Sequence, residues 1–319
     1  MTTLRTLTLT VIVAVVACLV QAKESYGFGR SLLQTCKKSG DRCSLYATSE
    51  CCDGLVCTMP LECTSKGDRS ECLPECRKQT LSNLTRIEYP SNSGTTPGFE
   101  GGKKYKPAVV VMQEWWGVND AIKQTALHIA EQGYRVLIPD LYRGRVAVER
   151  MEAIGLSSDL NWTRGIDDVV KAVEYLRRTG SKKVAIIGFC QGGGMALCGA
   201  QFARVDAALP FYGIPSNFTG CNPRLIPRSV PVQAHFGTND TSFPITTRVM
   251  PLVDSMRAAS VDIKLYLYDG LPHAFFNAIT PAGRLLMSGG SSNFKFPNET
   301  LVTLAFSRTT NFLRLHIRH

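Results

Sequence analysis

The run Gly188-Phe189-Cys190-Gln191-Gly192 sets a thiol between two glycines, each two residues away. Before it, Lys183 to Gly188 reads as a strand; after it, Gln191 to Ala203 reads as a helix. A nucleophile on a sharp strand-to-helix turn stands exposed above a sheet. Glycines flank it because a side chain there would collide with the turn or block approach. A helix that points its N-terminus at Cys190 also favours the thiolate, the form of cysteine that attacks carbonyl carbon. The competing reading of Cys190 is a buried structural cysteine, and the strand–turn–helix context weighs against it.

A thiolate needs a base, and the base needs an orienting carboxylate. After Cys190 come His235, His273, His316 and His319. His235 falls within a predicted strand, and the last two sit on the terminal tail. His273, in Leu271-Pro272-His273-Ala274-Phe275, lies just beyond the strand Ile263 to Tyr268, where such a fold places its base. Asp240 follows another strand in Gly237-Thr238-Asn239-Asp240, whereas Asp254 falls on a helix and Asp269 lies too close to the base. The chain order nucleophile, acid, base is that of strand–turn–helix nucleophiles.

The elements that would carry these residues alternate, which predicts an α/β fold with a mostly parallel sheet and helices on both faces. Strands are expected at 84–89, 108–112, 134–138, 183–188, 230–236 and 263–268. Helices are expected at 120–131, 166–178, 191–203, 249–259 and 299–316. Pro90 to Gly98 reads as loop.

Quoted in order, Gln113-Glu114-Trp115-Trp116-Gly117-Val118-Asn119, Pro139-Asp140-Leu141-Tyr142, Gly188-Phe189-Cys190-Gln191-Gly192-Gly193-Gly194, Gly237 with Asp240, and Pro272-His273-Ala274-Phe275 resemble the dienelactone hydrolase family. The resemblance covers residues 84 to 316 and implies an α/β-hydrolase fold. It further implies hydrolysis of cyclic enol-lactones and related esters through Cys190, Asp240 and His273. It implies that Glu114 contacts the cysteine and helps activate it, and that the backbone N–H groups of Gln191 and Trp115 form the oxyanion hole. The substrate-binding arginine that follows the family's Asp-Leu-Tyr segment has two candidates here, Arg143 and Arg145. Trp116 stands beside the site as a further substrate-binding candidate. No cofactor or metal is required, and the expected ligand is a small ester or lactone.

The first part of the chain differs in kind. Arg5, an apolar run from Leu7 to Val20 and the small residues before position 23 describe a secretory signal peptide over 1–22, cut after Ala22. A linker is expected over 23–35, a cysteine-rich module over 36–76, a second linker over 77–83 and the hydrolase domain over 84–319. The module carries Cys36, Cys43, Cys51, Cys52, Cys57, Cys63, Cys72 and Cys76, a density that suits an oxidising compartment. So short a segment needs covalent staples. Its spacing resembles inhibitor cystine knots, which implies Cys36–Cys52, Cys43–Cys57 and Cys51 with a later cysteine. A zinc cluster is the rival use of the thiols, and the segment lacks histidine.

Of 12 cysteines, Cys18 leaves with the signal and eight belong to the module. Cys190, Cys198 and Cys221 remain, an odd number that requires at least one free thiol. Cys198 and Cys221 either pair or stay reduced. Glycans are expected at Asn83, Asn161, Asn217 and Asn298, with Asn239 disfavoured beside Asp240. The net charge of +10 is scattered along the chain and no nucleic-acid-binding signature occurs, so nucleic acid is not an expected partner. The sequence thus predicts a secreted, extracellular cysteine hydrolase with no membrane span after signal cleavage. The rival is a secreted binding or toxin-like protein led by the module, which would take a protein or carbohydrate partner and keep the hydrolase domain as scaffold.

Overall fold

The computed structural model describes residues 37–46, 51–52, 56–60, 64–66, 69–71, 73–77, 84–216 and 219–318. The expected leader and first linker lie outside them, as do Cys36, Cys63, Cys72, Asn83 and Asn217.

Four three-residue strands lie in the cysteine-rich stretch: β1 (Val56–Thr58), β2 (Thr64–Lys66), β3 (Arg69–Glu71) and β4 (Glu75–Arg77). β1 pairs antiparallel with β4, setting Cys57 opposite Cys76, and β2 pairs with β3. Disulfides join Cys43 to Cys57 and Cys51 to Cys76. Cys52 is also disulfide-bonded. The sulfurs of Cys43, Cys51 and Cys76 lie within 4.8 Å of one another, but the two disulfides consume them as ligands.

Eight further strands build one sheet: β5 (Thr85–Ser91), β6 (Gly94–Gly101), β7 (Ala108–Met112), β8 (Arg135–Pro139), β9 (Val184–Phe189), β10 (Ala207–Phe211), β11 (Val232–Gly237) and β12 (Ile263–Tyr268). Their spatial order is β12-β11-β10-β9-β7-β8-β6-β5. Only the β5–β6 and β6–β8 pairs are antiparallel. The helices are α1 (Asp120–Glu131), α2 (Arg150–Ser158), α3 (Trp162–Arg178), α4 (Gln191–Phe202), α5 (Met250–Ala258), α6 (Pro281–Ser288) and α7 (Glu299–Ile317). This is the α/β-hydrolase architecture expected. None of the described helices is long and apolar enough to cross a membrane.

The apolar runs explain the layering. β7 and β9 are buried at every position because helices cover both faces of a parallel sheet. Alternation then sends Val109, Val111, Ala185 and Ile187 into one core, and Ala108, Val110, Val184 and Ile186 into the other.

Four elements depart from the sequence expectation. Gly94–Gly101 is a strand although Pro97 and three glycines signal a loop; pairing with both β5 and β8 overrides local propensity. β10, Ala-Ala-Leu-Pro-Phe, is short and small in side chain, and takes its place from its neighbours β9 and β11. α2 buries only Ala153 and α6 only Gly283, so neither writes a clear apolar stripe. α3 also starts at Trp162, before the expected Ile166, because the Asn161 side chain accepts the Arg164 N–H and caps it. Asn298 caps α7 in the same way, and both asparagines remain exposed.

From Lys37 onward the chain clusters as one compact unit. Leu45 and Met59 of the cysteine-rich stretch are 1% and 0% exposed and belong to the same core as β7 and β9. Burying each stabilises this arrangement by about 1.5–3 kcal/mol.

Candidate active site

Four strands deliver the chemistry from their carboxyl ends, where ligands bind in open α/β sheets. Glu114 follows β7, Cys190 follows β9, Asp240 follows β11 and His273 follows β12. The turn at Cys190 has φ 54° and ψ −119°, a conformation rarely taken by any residue but glycine and costing on the order of 1–3 kcal/mol. Its backbone is fastened on both sides. The Cys190 N–H donates to Phe211 O at 3.1 Å, and the Gly193 N–H donates to Cys190 O at 2.9 Å. A methyl group at Gly188 would overlap the Gly192 carbonyl, and one at Gly192 would overlap the Gln113 carbonyl. Both glycines are therefore required by close backbone approach.

Asp240 is almost fully buried, with its side chain fixed from three directions. Oδ1 accepts the N–H groups of Ser242 at 2.8 Å and Phe243 at 3.1 Å, and Oδ2 lies 2.8 Å from His273 Nδ1. Burial alone would lower the pKa of His273. Hydrogen bonds to Asp240 and to the Cys190 thiol outweigh it, and the pKa is raised to about 10. His273 and Asp240 are thus directly paired, and His273 and Cys190 line the same cavity. His235 is elsewhere occupied: Nδ1 lies 2.8 Å from the Tyr268 hydroxyl and Nε2 lies 3.0 Å from Gln233 Oε1, and burial pushes its pKa well down.

Glu114 is buried near His273, and burial raises its pKa although His273 and two hydrogen bonds oppose the shift. Asn277 Nδ2 donates to both carboxylate oxygens at 3.2 Å, and the Tyr212 hydroxyl donates to Oε1 at 3.4 Å. The Tyr212 ring packs edge-on against His273 with centroids 5.1 Å apart. The family resemblance implies contact between Glu114 and Cys190; the hydrogen bonds of the carboxylate run instead to Tyr212 and Asn277. These two partners escaped the sequence reading. Tyr212 follows the unforeseen strand β10, and Asn277 lies one turn beyond His273, a spacing that carries a signal only once the segment is known to be helical.

The Gln191 amide opens α4, so no residue of its own helix can accept from it. Trp115 follows Glu114 on the facing loop. The side-chain oxygen of Gln191 accepts hydrogen bonds from the Ser157 and Tyr142 hydroxyls at 2.6 and 3.3 Å, which fixes the residue carrying this amide.

Cys190, Glu114 and His273 open into a cavity of about 530 Å³ whose walls are mostly apolar, including Trp115, Trp116, Phe243, Met287 and Phe294. Trp116 thus borders the site as expected. Neither expected arginine does. Arg143 Nη2 pairs with the buried Asp168 at 2.8 Å and its Nη1 donates to the Asp140 carbonyl at 3.0 Å, so it ties the loop after β8 to α3. Arg145 is exposed and away from the cavity lining. An arginine that does line the cavity is Arg150, the first residue of α2. It was missed because α2 was missed.

Cys198 and Cys221 are both free thiols, as is Cys190. A hydrogen bond to Cys221 and burial together push the Cys198 thiol far up, so it is not a reactive group in this state.

Comparison with known proteins agrees with this architecture. The model of the dienelactone hydrolase family matches residues 98–316. The chain is 26% identical over 246 residues to carboxymethylenebutenolidase 1 of Cupriavidus pinatubonensis, covering 72% of this chain and 96% of that one. It is 31% identical over 203 residues to the protein usf of Aquifex pyrophilus, covering 60% and 86%. Among solved structures, a dienelactone hydrolase-like promiscuous phosphotriesterase from metagenomic libraries superposes with a TM-score of 0.61 at 21% identity, over 73% of this chain and 98% of that one. The matched strands, the turn at Cys190 and the loops after β7, β11 and β12 all fall inside the segment covered by the family model: this chain belongs to the dienelactone hydrolase family.

Proposed function

We propose that this esterase-like hydrolase cleaves small esters or lactones through a covalent thioester on Cys190. The observation that carries the reading is the hydrogen bond between His273 and Asp240, with His273 and Cys190 both lining one largely apolar cavity. The thiolate sulfur attacks the acyl carbon, and the carbonyl π pair moves onto oxygen. The Gln191 and Trp115 amides stabilise that oxyanion. As the oxyanion collapses, the acyl C–O bond breaks and the leaving oxygen takes the proton from the His273 imidazolium. Neutral His273 then takes a proton from water as its oxygen attacks the thioester carbon; the C–S bond breaks, the carboxylic acid leaves and the thiolate–imidazolium pair is restored. In a lactone the leaving hydroxyl stays tethered to the acyl group. Glu114, polarised toward the neutral form by burial, shapes the electrostatics beside the thiol. Arg150 favours substrates with an anionic group at the mouth of the cavity.

We further propose that the protein acts outside the cell. The apolar leader of the sequence and the disulfides of Cys43, Cys51 and Cys52 support an oxidising destination. The knot-like spacing of the module and glycans on the exposed Asn161 and Asn298 belong to the same proposal.

The test is hydrolysis of a panel of aryl esters and lactones by the oxidised full chain and by Cys190→Ala. Turnover that vanishes with the substitution supports the reading. Equal turnover in both proteins contradicts it.

A further inference from the structure

The cysteine-rich stretch touches the wall of the substrate cavity through a continuous line of side chains. Tyr46, three residues after the disulfide-bonded Cys43, stacks on Phe296 with ring centroids 5.0 Å apart and planes 21° apart. Phe296 meets Phe294 edge-on at 5.1 Å, and Phe294 lines the cavity above Cys190. The backbone on either side of this stack is also fastened. The Ser44 hydroxyl donates to Glu299 Oε2, and the Leu45 N–H donates to Glu299 Oε1, each at 2.6 Å. Glu299 opens α7, directly after the segment that holds Phe294 and Phe296. On the other side of that segment, Arg284 of α6 donates to the Ala278 carbonyl at 3.0 Å. α6 also supplies Leu286 and Met287 to the cavity.

Residues 285–297 thus form one wall of the cavity without belonging to the sheet. They contain no strand, and their exposed positions outnumber their buried ones. A segment with so few buried apolar contacts of its own opens readily unless something outside it holds it down. Loop 43–46 is that restraint, and it is itself restrained by the Cys43–Cys57 disulfide and by burial of Leu45.

We infer that the cysteine-rich stretch is a positioning element for the hydrolase: Tyr46 and its neighbours fix the wall at residues 285–297 and so set which acyl groups the cavity accepts. Tyr46 acts through Phe296 and does not touch the reacting atoms. The inference rests on the reading of the cavity as an ester site, and it separates the roles of the two regions. Loss of Tyr46 weakens substrate binding and leaves the chemical step intact.

The experiment uses the oxidised full chain with Tyr46→Ala and Tyr46→Phe. Hydrogen exchange over residues 285–297 reads the wall without any substrate, so it remains informative if no ester is turned over. Tyr46→Ala is expected to speed exchange there while exchange over β7 and β9 stays at the wild-type rate. With aryl esters of increasing acyl length, KM is expected to rise about three- to tenfold for the longer acyl groups, the range given by loss of one aromatic pair, with kcat changed less than twofold. Tyr46→Phe keeps the stacking ring and is expected to match the wild type in both measurements. Wild-type exchange over 285–297 in Tyr46→Ala would overturn the inference, as would a fall in kcat with KM unchanged. Faster exchange throughout the sheet would also overturn it, by showing general destabilisation in place of a local restraint.

Discussion

The floor and the wall of the cavity are built from different materials. Cys190, His273, Asp240 and Glu114 stand at the ends of four strands, and each is fixed by backbone or buried side-chain hydrogen bonds. The wall that carries Leu286, Met287 and Phe294 belongs to a short helix and an irregular segment, pinned from outside by Tyr46 and Leu45. Rigid sheet ends hold reacting groups to the tolerance that bond-making needs, whereas a wall outside the sheet can vary in shape without disturbing them. The two regions should therefore fail differently: changes in the floor lower kcat, and changes in the wall raise KM.

The largest effect is expected at the nucleophile. Cys190→Ala should lower kcat by about 10³-fold or more, with the fold intact by circular dichroism, since the remaining groups cannot form the thioester. Residual activity near that of the wild type would remove the floor from the account.

Asp240→Asn comes next, with kcat expected to fall by about 10²- to 10⁴-fold through loss of acid–base function at His273. The pH profile sharpens this prediction. His273 has its pKa raised from 6.5 to about 10, so the imidazolium persists through neutrality and is lost as pH rises toward 10. Activity that needs the imidazolium to protonate the leaving group should fall on that alkaline limb. Asp240→Asn removes one of the two partners that raise the pKa, so the limb should move toward neutral pH. The same group bears on stability with a definite sign. Its stabilising contribution is complete below about pH 6.5 and disappears between there and about pH 10.

Leu45→Ala tests the foundation of the wall. Removing a side chain that is 1% exposed should lower the unfolding free energy by about 2–5 kcal/mol, read by urea denaturation. Below the unfolding transition kcat should stay near wild type. A collapse of kcat in the folded protein would blur the division between floor and wall.

The smallest effect is expected at Arg150→Ala. For an ester with a carboxylate in its acyl part, KM should rise about tenfold, the scale of one partly exposed charge-assisted contact. For a neutral ester of the same size it should hardly move. Equal changes for both would show that Arg150 does not read substrate charge.

The sequence made the floor legible and left the wall obscure, for a physical reason. The apolar runs of β7 and β9 and the glycines around Cys190 follow from local requirements: burial on two faces and close backbone approach. His273 and Asp240 could be chosen because each stands just past a strand, β12 and β11. Tyr212, Asn277 and Arg150 depend on β10, a short helical turn and α2, whose residues carry weak periodic patterns. Arg143 looked like a substrate ligand from its position after Tyr142. It is instead drawn to the buried Asp168, a carboxylate 25 residues away in sequence that becomes its neighbour only when α3 packs beside the β8 loop. The link from Tyr46 to Phe296 spans 250 residues, and its residue types carry no sign that they meet.

The central claim is a covalent acyl intermediate on Cys190, and intact-protein mass spectrometry after rapid quenching of the reaction with an activated aryl ester tests it most directly. The account predicts a transient mass increase equal to one acyl group, located on the peptide containing Cys190, discharged by hydroxylamine and absent in Cys190→Ala. Turnover of the same ester with no acyl adduct on Cys190 in the quenched wild-type enzyme, or with an equal adduct in Cys190→Ala, would contradict it.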